Sequence, residues 1–480
     1  MLHFKPKNVA IHEGFGLQPR TIAVLGRNCG HIENARRAAV LVDGDAYFST
    51  LAQCLPQARR SIIIVAWDFD GAIRLRPSSS EQTVGNLLRS LVDQWPELHV
   101  KILVWSEATI HAPGATLPLL IGDEWSNHPR ISVRLDKHHP IYAAHHQKIV
   151  TIDDELAFVG GMDLTVDRWD TPSHEPDCRL RVKPGGEPYG PVHDVQMLLE
   201  GAAARALADI ARRRWRTATG EDIPPCLQSS ETWPQDLTPH FADLPVAIST
   251  VSPRWRGDKG CSHSLQMTLD AIEAAEKSIY LEAQYFTSRR VGRAIANSLA
   301  KPKGPNILVV VGLNSHGFIE HYVMARNRDR LARKLMKRDP HNRFRILYPI
   351  LPSGKDLNVH SKVMVIDDSF LRVGSSNLNN RSEGVDTECD VSIEGLNEQT
   401  RTAIAGVRDS LIAEHLGAEP AVVSRAIELD GLFGAIDRLN VSKRALKELP
   451  ELSRGRSTRS VLGTWLLDPS APLIPRFRFD

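Results

Sequence analysis

One pattern that occurs twice constrains this chain more than any other feature. The second copy runs His360-Ser361-Lys362, four apolar residues (Val363, Met364, Val365, Ile366), Asp367, a turn, a short apolar run, and Gly374-Ser375-Ser376-Asn377. The first copy runs His146-Gln147-Lys148, then Asp153, then Gly160-Gly161-Met162-Asp163. In both, the aspartate falls seven residues after the histidine and the pair of small residues fourteen after it. Alternate residues of an extended strand share a face, so each histidine and its lysine project together. An imidazole, a fixed cation and an amide donor are the groups that phosphodiester cleavage uses. Two copies can compose one site.

The repeat extends beyond the motif. An apolar strand at Ala39 to Val42 precedes a helix with Phe48, Leu51 and Leu55 on one face, and Ser61 to Trp67 follows as a strand. In the second half Val246 to Val251 precedes a helix with Leu265, Leu269 and Ile272 on one face, and Ser278 to Glu282 follows. Val100 to Trp105 then corresponds to Ile307 to Leu313, and Ile131 to Leu135 to Phe344 to Leu347. Strands alternating with helices predict an α/β fold of two similar halves, each with a mixed central sheet and helices outside.

The stretch Thr217 to Asp243, rich in Pro, Thr, Asp and Ser, reads as the connection between them. A boundary near residue 235 gives an N-terminal half, 1–234, and a C-terminal half with its tail, 235–480. The tail is expected to be helical from Ser424. Within it Val441, Ala445, Leu446 and Leu449 have the spacing of one helix face, with Pro450 stopping that helix. Surface coil is expected around Pro469, Pro472 and Pro475.

A chain of 480 residues, 42% hydrophobic, suffices for one large core or two smaller ones. The net charge of +2 provides no general field for polyanions. The basic runs Arg212 to Arg216, Arg289-Arg290 and Arg328 to Arg338 read as solvated helix faces. The six cysteines are scattered without a CxxC pair, which fits reducing conditions. The first sixteen residues have no apolar core of the signal-peptide kind, and the apolar runs fall short of the ~20 residues that span a bilayer. The expected location is cytoplasmic, at most peripheral on a membrane, with secretion by another route as the alternative.

The two copies resemble the HKD motifs of the phospholipase D superfamily, and the likeness runs over roughly residues 30 to 415. Ile279-Tyr280-Leu281-Glu282-Ala283-Gln284-Tyr285-Phe286 resembles the family's IYIENQYF stretch, departing from it at Leu281 and Ala283. Gly161-Met162-Asp163-Leu164 through Arg168-Trp169-Asp170-Thr171 resembles the segment after the first motif in plant- and animal-type members, and Asn377 to Ser382 the segment after the second. The resemblance implies a duplicated, pseudo-symmetric α-β-β-α sandwich with both motifs meeting at the interface of the halves.

It also implies roles. Lys148 and Lys362 face the non-bridging phosphate oxygens. His146 is the nucleophile that becomes a phosphohistidine, and His360 the general acid and base. The family's pattern points to Asp177 and Glu388, each opening an apparent strand (Cys178 to Val182 and Cys389 to Ile393), as the buried acids that orient the two rings. Asn377 is expected to bind the phosphate, with Ser375 beside it. Asp163, its counterpart, carries an anion that disfavours direct phosphate contact. Asp153 and Asp367, at an odd spacing from the histidines, are expected to be structural. The scheme requires no metal or other cofactor. His138, His139 and His145 suggest a metal site only weakly, since Lys148 would repel a bound cation.

Among family activities, the missing hydrophobic N-terminal segment speaks against a cardiolipin synthase, and two motifs in one chain against the small dimeric nucleases. The motif aspartates speak against tyrosyl-DNA phosphodiesterases. The expectation is a monomeric phospholipase D with transphosphatidylation capacity, acting on phospholipid at a membrane surface with no obligatory protein partner. A nuclease, with nucleic acid along Arg212 to Arg216, another phosphodiesterase or a phosphatidyl transferase is the alternative. A non-catalytic lipid- or nucleic-acid-binding protein is disfavoured by the two intact His-Lys pairs.

Overall fold

In the first half, apolar and β-branched runs form β1 (His31–Val42), β2 (Ser61–Ala66), β3 (His99–Trp105), β4 (Ile131–Asp136), β5 (Ile149–Ile152), β6 (Leu156–Gly160), β7 (Val192–His193) and β8 (Val195–Gly201). The second half supplies β9 (Phe241–Ser252), β10 (Cys261–Ser262), β11 (Ser278–Ala283), β12 (Asn306–Val311), β13 (Phe344–Ile350), β14 (Asn358–Val359), β15 (Lys362–Ile366), β16 (Phe370–Gly374), β17 (Glu388–Glu394) and β18 (Ala445–Glu448). This computed structural model describes residues 21–107, 123–226, 233–313, 318–453 and 464–470. The N-terminal stretch on which the signal-peptide expectation rests, and Pro472 and Pro475, lie outside them.

The halves repeat one strand order. The first reads β1-β8-β6-β5-β2-β3-β4 and the second β9-β17-β16-β15-β11-β12-β13, with parallel pairs at the β2-β3-β4 and β11-β12-β13 ends and antiparallel pairs elsewhere. The two orders meet where β1 runs antiparallel to β9, Glu33 opposite Val246, so a single continuous sheet joins both halves.

The long sheet doubles over so that β6 and β8 face β16 and β17. Strand alternation sorts the side chains between layers. Ala157 and Val159 of β6, with Leu371 and Val373 of β16, enter a core shared by both halves. Leu156 and Phe158 point outward to the helices Asp43–Cys54 and Val84–Gln94, and Phe370 to the helices His263–Ala274 and Arg289–Leu299. Helices Ala202–Thr219 and Glu398–Leu416 close the shared core. The fold is the duplicated mixed α/β architecture that the repeat predicts.

The connection between the halves is shorter than composition suggests, since a helix runs to Thr219 and a strand begins at Phe241.

One element differs in kind. The segment expected as a helix through Val441 to Leu449 is the strand β18, antiparallel to β13. Ala445 and Leu446 are buried, Lys447 and Glu448 exposed, and the Asn440 side chain clasps Leu446 through both its amide (2.7 Å) and its carbonyl (2.8 Å). The open edge of β13 outweighs the local helical spacing. Pro450 starts a short helix, Pro450–Ser453, rather than ending one, a position where its missing N–H leaves no bond unmade.

Candidate active site

Each motif histidine sits in extended chain just before its strand, β5 or β15. There the main chain crosses to the other half. The His146 amide donates to the Thr387 carbonyl (3.0 Å) and the His360 amide to the His193 carbonyl (2.8 Å). Each carbonyl belongs to the residue just before an acid. His146 Nδ1–H donates to Glu388 Oε2 (2.9 Å), and His360 Nδ1–H to Asp194 Oδ2 (2.6 Å). The acids are exchanged between the halves, and each ring keeps Nε2 free of its acid.

Glu388 is fully buried, and the hydroxyls of Ser375 (2.5 Å) and Ser382 (2.6 Å) donate to its two oxygens. Ser375, expected beside the substrate, is itself fully buried and accepts from the Cys389 amide. It holds the acid that holds the ring.

Asp177, expected as a ring partner, does not reach either histidine. It is 94% exposed and pairs with Lys355 at 3.8 Å. The acid in that role is Asp194, directly before β8. The expectation placed an acid at the mouth of a strand but chose Cys178 to Val182, where the chain forms turns, instead of Val195–Gly201, which pairs with β6 as β17 pairs with β16. The apolar run after His193-Asp194 was the available signal. Gly161 also matters here, because a Cβ at that position would stand 2.0 Å from Asp194 Oδ1.

The lysines are buried beside the rings. Lys148 Nζ pairs with Asp163 Oδ2 at 2.7 Å, while Asp163 Oδ1 accepts from the Trp67 amide. Asp163 is therefore occupied with a lysine and a main-chain amide. Lys362 donates to Gln284 Oε1 (3.2 Å) and to the His360 carbonyl, and its Nζ stands 3.1 Å from His360 Nδ1. Asn377 is nearly buried, and among the described residues its Oδ1 has no hydrogen-bond partner. Arg168, which residue patterns did not single out, is a further buried cation whose charge acts on His360 and Lys362.

Burial and this concentration of cations set the protonation states. Desolvation, then Lys148 and Lys362, hold His146 well below the usual histidine range. Desolvation, then Lys362 and Arg168, do the same to His360. Desolvation lowers Lys362 to about 7 and raises Glu388 well above the usual carboxylate range. The site without substrate thus holds neutral imidazoles and a weakened ammonium, arranged to receive an anion.

The motif aspartates point away from this chemistry. Asp153 accepts from the amides of Arg59, Arg60 and Ser61 (2.7–2.8 Å), and Asp367 from those of Glu276, Lys277 and Ser278 (2.5–2.7 Å). Each closes a strand hairpin at positive φ, 48° and 49°, and pins the entry of β2 or β11.

His138, His139 and His145 are engaged separately. His145 Nδ1 lies 3.0 Å from the Thr387 hydroxyl, and His139 Nε2 lies 3.0 Å from that of Ser106. In the basic run, Arg212 pairs with Asp154 and Asp209, Arg214 with Asp136, and Arg216 with Asp222.

Paired His-Lys motifs meeting between two like halves, with ring-holding acids exchanged, define a class. Residues 130–238 match the family model described as phospholipase D, and residues 268–404 the one described as cardiolipin synthase, PLD-like domain. The chain belongs to the phospholipase D superfamily. Its relatives include phospholipase D A of Dictyostelium discoideum, 26% identical over 71% of this chain and 31% of that protein. Phospholipase D1 of Saccharomyces cerevisiae is 25% identical over 80% and 29%, and phospholipase D alpha 1 of Nicotiana tabacum 25% over 57% and 49%. The chain spans less than half the length of each. The fold is also that of phosphatidylserine synthase from Haemophilus influenzae Rd KW20, with a TM-score of 0.56 and 14% identity, covering 84% of this chain and 95% of that one.

Proposed function

We propose that the chain is a phospholipase D that cleaves the distal phosphodiester of glycerophospholipids, such as phosphatidylcholine to phosphatidic acid and choline, and transfers the phosphatidyl group to alcohols. The observation that carries the chemistry is the exchanged pair His146–Glu388 and His360–Asp194 with a lysine beside each ring.

With Nδ1–H on Glu388, the lone pair of His146 Nε2 attacks phosphorus. A nitrogen–phosphorus bond forms and the bond to the head-group oxygen breaks. His360 becomes the acid when the phosphodiester anion arrives and offsets the nearby cations. Its Nε2 proton passes to the departing alcohol. The same nitrogen then takes a proton from water or a second alcohol, whose oxygen displaces His146. Lys148, Lys362 and the Asn377 amide steady the charge on the non-bridging oxygens. A Glu388 raised by burial is a better proton acceptor, which favours the phosphorylated, cationic state of His146.

Two features support a lipid over a nucleic acid. Arg212 and Arg214 are engaged by the buried aspartates Asp154 and Asp136, and Arg216 pairs with Asp222 at the surface, which weakens the expected basic track. The loop leading into His146 instead exposes Ile141 (49%) and Tyr142 (48%), side chains suited to a lipid surface. The relatives named phospholipase D agree with this reading.

The test combines purified protein, phosphatidylcholine vesicles and a primary alcohol, with products read by mass spectrometry. Phosphatidyl-alcohol that disappears in His146→Ala is the expected result. Cleavage of DNA or of a bis-aryl phosphodiester, with no lipid product, would overturn the lipid assignment while leaving the site chemistry standing.

A further inference from the structure

Behind Asp194, on the side away from the lysines, lies a second cluster of buried titratable groups that the proposed chemistry does not use. Asp43, His174 and His193 come from the first half and Glu414 from the second, and one potential ligand atom from each lies within 4.8 Å of all the others. His193 Nδ1 stands 3.0 Å from Asp43 Oδ1 and 2.7 Å from Glu414 Oε1. His174 Nε2 stands 3.0 Å from Glu414 Oε1 and 3.7 Å from Asp43 Oδ2. Donors at 2.0–2.1 Å around a tetrahedral ion are separated by about 3.4 Å, so the cluster is only slightly tighter than an occupied site.

Two further observations point to a cation. Each histidine directs its other nitrogen to an outer carboxylate, His174 Nδ1 to Asp170 Oδ2 (2.9 Å) and His193 Nε2 to Glu282 Oε2 (3.0 Å). As the cluster stands, the inner nitrogens His193 Nδ1 and His174 Nε2 donate to the carboxylates of Asp43 and Glu414. The outer carboxylates orient both rings so that these nitrogens become ligands once an ion displaces their protons. Asp43 is fully buried at φ 66°, and among the described residues its Oδ2 accepts no hydrogen bond. A backbone held in the left-handed region by a non-glycine residue fits a side chain whose direction matters.

We propose that Asp43, His174, His193 and Glu414 form a structural site for one divalent transition-metal ion of the zinc type, stapling the two halves beneath the acid that orients His360. The charges agree. Four carboxylates (Asp43, Asp170, Glu282, Glu414) face the cations Arg181, 2.8 Å from Asp170, and Arg444, 3.9 Å from Glu414. The remaining two negative charges are offset by the protons on the inner imidazole nitrogens, and one divalent ion would take the place of those two protons. The donor set of two imidazoles and two carboxylates suits zinc, and with little exposure at any ligand the ion is captured as the halves close. The site stands apart from the lipid assignment.

The test uses the full chain without a polyhistidine tag, refolded with excess Zn²⁺ or Co²⁺, desalted over chelating resin and analysed by mass spectrometry for metals. About one ion per chain, a raised melting temperature and the strong visible absorption of four-coordinate cobalt are expected. Asp43→Asn should lose the ion, and His174→Cys should add a thiolate-to-cobalt charge-transfer band, which decides the matter if the first variant fails to fold. Wild-type protein that desalts free of metal with an unchanged melting temperature would overturn the proposal. So would a folded Asp43→Asn or His174→Cys whose cobalt spectrum matches wild type.

Discussion

Glu388 of the second half holds the imidazole of His146 of the first, 2.9 Å from carboxylate oxygen to Nδ1. The Thr387 carbonyl beside it takes the His146 amide, so ring and main chain are fixed by the same short segment. In Glu388→Gln an amide N–H can donate to Nδ1, favouring the tautomer whose Nε2 carries the proton and cannot attack. The expected loss is roughly 100-fold to 10 000-fold in kcat with KM little changed. Asp177→Asn, at an exposed carboxylate, should leave both constants as they were. A Glu388→Gln enzyme within threefold of wild-type kcat would refute this orientation role.

Gly161 offers a steric route to the other ring. Alanine there would place Cβ 2.0 Å from Asp194 Oδ1, forcing the acid away from His360, a residue of the opposite half. Gly161→Ala should lower kcat about 10- to 100-fold while the protein stays folded. Normal turnover in this variant would mean that Asp194 tolerates displacement, and its proposed role would fail.

Lys362 titrates near 7 because burial disfavours its ammonium form. An anion bound in the site favours that form, so binding above this pH must take up a proton. Sulfate, which stays fully ionised across the range, is a suitable probe. Calorimetry in buffers of different ionisation enthalpy should find uptake approaching one proton at about pH 8, and affinity falling as the pH rises. Lys362→Met should abolish most of the uptake at that pH. Sulfate binding with no proton linkage from about pH 6 to pH 9 would contradict the assigned protonation state.

Asp153 and Asp367 each serve three main-chain amides, but Asp153 is the more deeply buried. Urea denaturation should show Asp153→Ala destabilised by about 2–4 kcal/mol and Asp367→Ala by about 1–2 kcal/mol. Activity per folded molecule should be nearly unchanged in both. A catalytic loss in stably folded Asp367→Ala would return the motif aspartates to the chemistry.

The repeat made most of the architecture legible. Its strand runs are apolar and β-branched, and they recur in the same order around the two motifs, so β2, β3 and β4 match β11, β12 and β13 by residue pattern alone. Pairing over distance was not legible. Ala445 and Leu446 carry a local helical spacing, and only the vacant edge of β13 makes them a strand. The role of Asp194 is not legible because the chain between β6 and β8 is longer than its counterpart between β16 and β17, which shifts the acid away from the matching position. The cluster around His193 draws on residues from Asp43 to Glu414, a separation that no local pattern encodes.

The exchange of acids bears on biosynthesis. By the time the ribosome has made His146 and Lys148, the chain already carries one complete motif, but the carboxylate that orients that histidine is residue 388. The first half therefore waits, chemically incomplete, through the synthesis of nearly all of the second. On the reading proposed here, a nascent chain cannot attack the phosphodiesters of the cell that is making it, and competence arrives in one step when the halves close.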